Sequence, residues 1–477
     1  TMGGGIAFLD FDNDGHQDIV LVNSNTWPWH ANTGPPPRSR LYKNDGSGTF
    51  KDVTEMVGFD AILYGMGVAV GDYDGDGYVD VFISASGNNK LLRNIRGTRF
   101  EDATAAAGVS GTNDTWSTSA AFFDFDQDGD LDLFVTNYVG WSREIDREVD
   151  YRLTGIGRAY GPPTDFSGTH SYLYRNDNGR FVDVTQDAGI TVNQAGSELA
   201  VGKGLAVLPI DINNDGWLDL AVANDTVRNF LFVNQQDGRF VERGIDYGFA
   251  FDSAGLATGA MGIDAARNGV DGSLSLAIGN FANEMSSFYV LRDGEEVFSD
   301  NAIVAGIGAD SRRALTFGLV FFDADLDGAL DLLAANGHVE PEINRVQASQ
   351  QYRQPLQLFW NCPSRCSRPY QLARNTGDLA VARAGRGVAY ADIDGDGDLD
   401  VILTQVSGKP SLLRNDLASG NHWMRLKLQS NPPNRNAIGA TVSLFTANTR
   451  QDRMVMPTRS YLSQVELPLT FGLGPAE

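Results

Sequence analysis

Hydrophobic residues in this chain occur in short runs separated by polar, glycine-rich turns, and the runs follow a repeated order. One complete unit has its four runs at residues 67–71, 79–83, 90–94 and 99–102. The last two runs of the unit recur at 41–44 with 50–54 and at 173–176 with 181–185. Short apolar runs bounded by turn residues are typical of β-strands. The pattern therefore predicts an all-β chain built from four-stranded units.

The turn between the first two runs of a unit is acidic and has a fixed frame, which is clearest at residues 392–400. The frame reads D-x-D-x-D-G-x-x-D, with carboxylates at positions 1, 3, 5 and 9. Glycine at position 6 permits a sharp bend, and the carbonyl of position 7 is placed to be a further ligand. Calcium takes 6–8 oxygen ligands, whereas carboxylates this close together would repel one another without a cation. The frame predicts a calcium site.

The same frame occurs six times, which makes a chance run of acidic surface turns a poor explanation. The predicted ligands are Asp10, Asp12, Asp14, His16 and Asp18; Asp72, Asp74, Asp76, Tyr78 and Asp80; Asp124, Asp126, Asp128, Asp130 and Asp132; Asp211, Asn213, Asp215, Trp217 and Asp219; Asp323, Asp325, Asp327, Ala329 and Asp331; and Asp392, Asp394, Asp396, Asp398 and Asp400. The position-7 residues contribute backbone carbonyls, and Asn213 is a neutral donor. We expect about six bound Ca²⁺ ions.

The spacing of the frames indicates a seventh unit between the fourth and fifth copies. Apolar runs at 262–264 and 274–280 fit its first two strands, but the turn between them, 265–273, lacks the carboxylate frame. We expect this fifth unit to bind no calcium. Seven four-stranded units predict a seven-bladed β-propeller spanning residues 1–420, because radial repetition protects strand edges.

The C-terminal residues, 421–477, have a different pattern. Residues 424–428 and 440–445 alternate apolar with polar positions, and the turn sequence Asn-Pro-Pro-Asn lies between them. This predicts a small β module with a structural role, which packs on the last blade or helps to close the ring.

The acidic units resemble FG-GAP/VCBS repeats, the calcium-binding blades of integrin α-chain heads. The tail, with Asn421-His422-Trp423, Asn436 to Ala440, Ser460 to Gln464 and Phe471-Gly472-Leu473-Gly474, resembles the ASPIC/UnbV module. Together they are similar to the family of cartilage acidic protein and its bacterial relatives, of which Asn336-Gly337-His338-Val339 is also typical. The resemblance implies a calcium-stabilised propeller across nearly the whole chain.

Composition narrows the class of partner and the compartment. The net charge of −24 argues against nucleic-acid binding, and six divalent ions would halve it. The sequence contains neither an apolar run long enough for a transmembrane helix nor a signal-peptide pattern, so we expect a processed, secreted chain. Calcium loops of this kind are useful where calcium is millimolar, which indicates an extracellular or periplasmic location. There, Cys362 and Cys366 could form a disulfide.

Long loops that connect the second and third strands lie on the propeller face opposite the calcium loops. These loops and the neighbouring links between blades contain the predicted partner-binding residues, namely Trp27, Trp29, His30, Trp141, Arg158, Tyr160, His338, Arg312 and Arg313. Aromatic and arginine side chains dominate binding hot spots, so we expect a protein or glycan ligand there. Arginines could also hold an anionic group, His30, His170 and His338 could converge on a transition metal, or the loops could pack together as a lid.

An enzyme is the alternative interpretation. The sequence has no nucleophile elbow, zinc motif or phosphate loop, which favours a binding protein. Cyanobacterial relatives of this architecture include enzymes that alkylate aromatic rings, however, so the resemblance leaves open an alkylating or metal-assisted activity in the central funnel of the loop-rich face.

Overall fold

The computed structural model describes residues 2–27, 29, 34–267, 272–362, 366–446 and 450–475. Its sheets follow the predicted units in chain order. Blade one contains β1 (Ile6–Leu9), β2 (Asp18–Leu21), β3 (Arg40–Asn44) and β4 (Phe50–Asp52), and blade two contains β5 (Gly65–Gly71), β6 (Asp80–Ala85), β7 (Lys90–Ile95) and β8 (Arg99–Asp102), followed by helix α1 (Thr104–Ala107). Within each blade, consecutive strands pair antiparallel.

Blade three carries the longest insertion. Its elements are β9 (Ser117–Phe123), β10 (Asp132–Asn137), helix α2 (Arg143–Val149), the hairpin β11 (Arg152–Leu153) with β12 (Gly157–Arg158), a short 3-10 helix (Pro163–Asp165), β13 (Tyr172–Asn176) and β14 (Phe181–Asp183). The insertion between β10 and β13 lies outside the four-stranded sheet. Its helix begins at Ser142, whose side chain accepts a hydrogen bond from Ile145 N, as expected for an N-cap.

The remaining blades vary in their fourth strand. Blade four contains β15 (Gly204–Ile210), β16 (Asp219–Asn224), β17 (Phe230–Asn234) and β18 (Phe240–Glu242); blade five contains β19 (Ile263–Arg267), β20 (Leu274–Ile278), β21 (Ser287–Leu291) and β22 (Ser299–Asp300), followed by α3 (Ala302–Ala305) and α4 (Gly308–Ser311). Blade six contains β23 (Thr316–Phe322), β24 (Asp331–Asn336), a 3-10 helix (Ile343–Arg345), β25 (Gln357–Asn361) and β26 (Tyr370–Leu372); blade seven, after a 3-10 helix (Gly377–Ala380), contains β27 (Gly385–Ala391), β28 (Asp400–Gln405) and β29 (Ser411–Leu413). Blade seven therefore has three strands in the part of the chain that the structure describes.

The inner strands form a ring. Each of β1, β5, β9, β15, β19 and β23 packs against the next inner strand, and β27 packs against β1, which completes the circle. The side chain of Thr404, on blade seven, donates a hydrogen bond to Gly4 O beside blade one at 2.8 Å. These inner strands are buried along nearly all of their length. The seven-bladed β-propeller is confirmed.

The tail adds three pairs of strands. They are β30 (His422–Leu426) with β35 (Leu469–Gly474), β31 (Thr441–Phe445) with β32 (Arg450–Met454), and β33 (Thr458–Arg459) with β34 (Ser463–Gln464). The second pair extends the sheet of blade five through β19, so the tail is not confined to the last blade. The third pair extends blade one, where β34 runs parallel to β1.

Residues 457–465, which we call the plug, fill the centre of the ring. The plug contacts the inner strand of every blade. Ser460 exchanges backbone hydrogen bonds with Ile263 at 2.9 and 3.1 Å, and Gln464 Nε2 donates to Ala120 O at 3.3 Å. Tyr461 and Leu462 are completely buried. The channel of the propeller is thus occupied by its own tail.

Candidate functional site

All six acidic loops have the same backbone geometry. The position-6 glycine has φ between 86° and 96°, a left-handed conformation that side chains disfavour, and its N–H donates to the position-1 carboxylate, as Gly77 does to Asp72 at 2.8 Å. The position-4 residue is also left-handed, even where it is Gln127 or Leu326. The N–H of position 7 donates to the carboxylate of position 5, as Tyr78 does to Asp76 at 3.0 Å. The predicted frame is therefore a turn closed by hydrogen bonds between its own backbone and carboxylates.

The position-9 aspartate ties each loop to its own blade. In blade two, Asp80 Oδ2 accepts from Tyr73 N at 3.2 Å and Asp80 Oδ1 accepts from Asn94 N at 2.7 Å. All six loops share this pair of hydrogen bonds, and in each case the second donor is an asparagine at or near the end of the third strand. This asparagine therefore belongs to the structure of the loop.

The same asparagines connect neighbouring blades. The side-chain amide of Asn94 donates to Phe11 O in the loop of blade one at 2.7 Å. Asn44, Asn176, Asn234 and Asn415 make the equivalent bond to the preceding loop, each at 2.8 Å. The side chain of Asn361 in blade six, which follows blade five, donates to Leu330 O of its own blade at 3.0 Å. We call the bond between blades the asparagine latch, and within the described residues it is missing where the acidic frame is missing.

The loops have the donor set of a cation site. In five loops, three carboxylates each offer an oxygen within 4.8 Å of the others, and Asp10, Asp12, Asp124 and Asp394 each have a buried Oδ1 without a hydrogen-bond partner. The loop at 211–219, with Asn213, has fewer acidic groups. Burial raises the pKa of Asp18 to about 8 and that of Asp219 to about 7. A cation would compensate this desolvation, so these residues fit a metal ion.

In blade five, the inner strand carries a buried aspartate that pairs with an arginine of the tail. Asp264 is fully buried, and its Oδ1 is 2.7 Å from Arg459 Nη1 of the tail. Its Oδ2 accepts from Phe321 N of blade six at 2.7 Å. Residues 268–271 of the predicted calcium-free turn lie outside the described residues, so that expectation stays a prediction. A guanidinium neutralises the carboxylate of this blade.

The tail covers the face that carries the acidic loops, and it contacts all six. Lys427 Nζ is 3.3 Å from Asp10 Oδ2, Arg435 Nε donates to Gly75 O at 3.0 Å, and Gly474 N donates to Leu326 O at 2.9 Å. The ring of Trp423 packs directly on Gly397, and Pro433 and Gly439 pack beside the two remaining loops. We call this covered side the metal face.

The opposite side, which we call the open face, contains a cavity of about 390 Å³. It is lined by side chains of blades three to six and by the long insertion of blade three, including Tyr138, Tyr151, Asp225, Glu284 and Glu340. Its floor includes Phe317, on which Tyr461 of the plug packs with ring centroids 5.0 Å apart. The Tyr461 hydroxyl is buried without a hydrogen-bond partner.

Stacked aromatic rings extend from the cavity across the open face. Trp27 stacks on Tyr64, Trp29 and Trp141 with centroid distances of 4.2, 5.0 and 4.8 Å, and Trp116 packs edge-on to Trp141 at 5.8 Å. These four tryptophans are more than half of the seven in the chain. Arg143 lies over Trp29, with 4.9 Å between its Cζ and the ring centroid. We call this surface the aromatic wall.

The structure brings together only some of the predicted partner-binding residues. Trp27, Trp29 and Trp141 form the aromatic wall, whereas Tyr160 and His338 line the cavity. Arg158 forms an ion pair with Asp146 at 2.6 Å. Among the described residues no lysine or arginine lines the cavity, which argues against an anionic ligand held there by arginines. Arg312 and Arg313 are exposed beside the cavity residue Asn283, whose N–H donates to Arg312 O at 2.9 Å.

The histidines do not form a common site within the described residues. His338 Nδ1 accepts from Glu340 N at 3.0 Å, and burial lowers its pKa to about 4. His170 Nε2 bonds Asn193 Oδ1 at 2.7 Å. Neither belongs to a cluster of potential metal ligands in the described part of the chain, and His30 lies outside the described residues. Separately, Cys362 and Cys366 are bonded as a disulfide, with Cα atoms 5.5 Å apart.

Two carboxyl groups at the cavity were not predicted from the sequence. Asp225 is 7% exposed, and its Oδ2 accepts from the Tyr138 hydroxyl at 2.6 Å. Burial raises its pKa to about 7 and also raises the pKa of Glu284, whose Oε2 accepts from Gly259 N at 2.8 Å. The sequence signal was weak, because Asp225 and Tyr138 are 87 positions apart and belong to no repeated frame.

Parts of the chain match two known protein families, and the whole chain is similar to known proteins. Residues 10–83 and 72–135 match the FG-GAP-like repeat, and residues 430–477 match the family described as ASPIC and UnbV. Cartilage acidic protein 1 of Xenopus tropicalis is 24% identical over 99% of this chain and 68% of its own length, and the Homo sapiens protein is 25% identical over 99% and 67%.

Solved structures offer only distant likenesses. A structure of an Agrocybe aegerita lectin, described as recognising non-reducing terminal N-acetylglucosamine, is 13% identical with a TM-score of 0.44 over 87% of this chain and 94% of that one. An exotype rhamnogalacturonan lyase is 13% identical with a TM-score of 0.42 over 85% and 70%. Scores at this level indicate nothing about function.

Proposed function

We propose that this chain of FG-GAP-like repeats with an ASPIC/UnbV domain is an extracellular, calcium-stabilised binding protein. A propeller of residues 1–420 is closed on its metal face by a module of residues 421–477. The open face binds a protein or glycan partner through the aromatic wall and the cavity beside it. The relatives named cartilage acidic protein support an extracellular matrix or binding role, and the disulfide fits an extracellular location.

Calcium is the ion that the loops fit best. Carboxylate and carbonyl oxygens in a flexible turn are hard ligands of the kind that Ca²⁺ takes 6–8 of. In each loop the side chains of positions 1, 3, 5 and 9 and the carbonyl of position 7 would hold it. Because the tail contacts every loop, bound calcium stabilises the closed ring and the tail together.

One observation supports placing the partner on the open face. The metal face is covered by the tail and the channel is filled by the plug, whereas four tryptophans and a cavity of about 390 Å³ remain on the opposite side. Partly exposed, stacked aromatic rings are characteristic of binding hot spots.

The test is a binding screen on glycan and peptide arrays, with the intact calcium-loaded protein. We expect a ligand that the wild type binds and that the double variant Trp29→Ala/Trp141→Ala loses by at least about tenfold. Met56→Ala, at an exposed apolar residue outside the wall, is the control and should bind normally. If the double variant bound every array ligand as well as the wild type, the open face would not be the binding surface.

An enzyme in the funnel remains the second candidate because of one feature. Asp225, with a pKa raised to about 7 by burial, is hydrogen-bonded to Tyr138 in the lining of the open-face cavity, which suits general acid–base chemistry. Turnover of a ligand found in the screen, abolished by Asp225→Asn with binding retained, would favour the enzyme over the binding protein.

A further inference from the structure

The lining of the open-face cavity is acidic. Asp146, Asp225, Glu284 and Glu340 belong to it, while no lysine or arginine does among the residues described. Asp146 is neutralised by Arg158 at 2.6 Å. Asp225 and Glu284 form no ion pair with any described side chain, since their hydrogen bonds come from the Tyr138 hydroxyl and the Gly259 amide. Two carboxyl groups therefore face the cavity without an ion pair to a described side chain.

Both carboxylates lie close to Gly259. A Cβ placed on this glycine would lie 3.3 Å from Asp225 Oδ1 and 3.6 Å from Glu284 Oε2. The nearby Lys203 donates its Nζ to Pro163 O at 2.6 Å and is not part of the lining. Burial and the charge of Glu284 raise the pKa of Asp225, and the Tyr138 hydrogen bond and the charge of Lys203 lower it only in part. Holding two carboxylates in this position is costly, and a cation between them would relieve the cost.

The rest of the lining selects the kind of cation. The same cavity is lined by five aromatic side chains, namely Trp116, Tyr138, Trp141, Phe281 and Phe317. Aromatic faces attract cations within about 6 Å of the ring centroid. No group of three carboxylates close enough to hold a metal ion occurs at the cavity within the described residues. At about 390 Å³ the cavity is in the range of sites for small organic ligands. A cavity of this size with an aromatic lining suits a cation with an apolar body.

The part of the lining formed by Phe317 lies against a buried guanidinium. Behind it, the fully buried Arg386 donates to Gly337 O at 3.0 Å and lies over the ring of Phe317 at 3.9 Å. The lowered pKa of His338 keeps that side chain neutral near pH 7. A ligand would therefore direct its positive group toward Asp225 and Glu284 and its neutral part toward Phe317.

We infer that the open-face cavity binds an organic cation, an ammonium or guanidinium group on an apolar framework, held between Asp225 and Glu284. This inference rests on the proposed function and specifies the ligand chemistry of that face. The cation can be the side chain of a lysine or arginine in a protein partner or a free small amine. Both sources present the same group to the same carboxylates.

Calorimetric titration of the intact, calcium-loaded protein tests this inference with matched probes. Choline and benzyltrimethylammonium carry the cation, and 3,3-dimethylbutan-1-ol is the neutral isostere of choline. We expect choline to bind at least about tenfold more tightly than the isostere, as cation–π and ion-pair contacts together predict. Peptides with a central lysine, arginine or norleucine distinguish a side-chain source from a free amine, because only a side-chain site would favour the charged peptides over choline.

Variants locate the binding group. Asp225→Asn and Glu284→Gln, each checked for an unchanged melting temperature, should weaken choline binding at least about tenfold. Glu198→Gln, at an exposed carboxylate in the link between blades three and four, should leave it unchanged. Equal affinity for choline and its isostere, or a neutral oligosaccharide that binds more tightly than either cation, would overturn the inference. If the tryptophan double variant lost an array ligand that Asp225→Asn retained, the cation inference alone would fail and the proposed binding face would stand.

Discussion

The two faces of this propeller are built on opposite principles. The metal face repeats one nine-residue loop six times and is covered by the tail, which contacts every copy. The open face has no repeat, and its cavity is formed by insertions of different lengths from blades three to six. A repeated loop can be stabilised by the same ion in every blade, whereas a single cavity with its own shape needs residues that occur once. Stability and recognition are thereby assigned to different sides of one ring.

Removal of calcium gives the largest expected difference between the faces. Each site saturated at 100 times its dissociation constant contributes about 2.7 kcal/mol, so chelation with EGTA should lower the melting temperature by about 10 °C or more. Hydrogen exchange should increase in residues 421–446 and 450–475 and in the acidic loops before it increases in the insertion of blade three. Magnesium at the same concentration is the control. An unchanged melting temperature would contradict structural calcium.

The effect of calcium should also depend on pH. Without the ion, burial holds the pKa of Asp18 at about 8 and that of Asp219 and Asp400 at about 7, above the value of 3.8 expected for an exposed aspartate. The metal-free folded state then binds more protons than the unfolded state between about pH 4 and 8, so its stability falls as pH rises. Calcium replaces those protons.

The calcium-induced rise in melting temperature should therefore be several degrees larger at pH 8 than at pH 5.5, measured by differential scanning calorimetry with and without EGTA. The open-face groups do not contact the loops, so Asp225→Asn should leave this difference unchanged. A calcium effect of equal size at both pH values would mean that the buried carboxylates are not the ligands.

Blade five offers a test within the metal face. Arg459→Ala leaves Asp264 buried without its cation, and breaking a buried pair costs about 3–5 kcal/mol. Denaturant unfolding should show this loss with calcium or with EGTA, because we expect no ion at this blade. The double variant Arg459→Ala/Asp264→Asn should recover part of the loss. Arg99→Ala, which breaks an exposed pair with Glu101, is the control and should have little effect. A loss for Arg459→Ala that disappeared in EGTA would show that blade five depends on metal after all.

The turns of the metal face could be predicted from the sequence because all predicted ligands of a loop lie within nine residues. The third apolar runs of blades one to three end on Asn44, Asn94 and Asn176, but the bond from Asn94 to Phe11 spans 83 positions and depends on how the blades pack. The pair of Arg459 with Asp264 spans 195 positions and replaces a missing motif, so no pattern announced it. The sequence showed which aromatic residues occur in the long loops of the open face. It did not show that Tyr138 pairs with Asp225, because the insertions contain no repeated motif from which a contact could be predicted.

The asparagine latch can be measured by a matched pair of variants. Asn94→Ala removes the bonds to Val79 O and from Gly97 N in its own blade and the bond to Phe11 O of blade one, whereas among the described residues Asn361→Ala removes only the bond to Leu330 O. We expect Asn94→Ala to cost about 1–2 kcal/mol more, since one intramolecular hydrogen bond has a net value of about 1 kcal/mol. Equilibrium denaturation in calcium measures the difference. Equal losses would mean that the contact between blades contributes nothing to stability.

Two tryptophans of equal exposure compare the faces most directly. Trp29 of the aromatic wall is 37% exposed, and Trp423, which packs on Gly397 in the loop of blade seven, is 38% exposed. Trp29→Ala should change the free energy of unfolding by about 0.5 kcal/mol or less, because the wall is not part of the closed ring. Trp423→Ala should cost more, since it uncovers a metal loop, and the excess should shrink in EGTA. If Trp29→Ala were the more destabilising variant, the open face would contribute to stability and could not be free to specialise for binding.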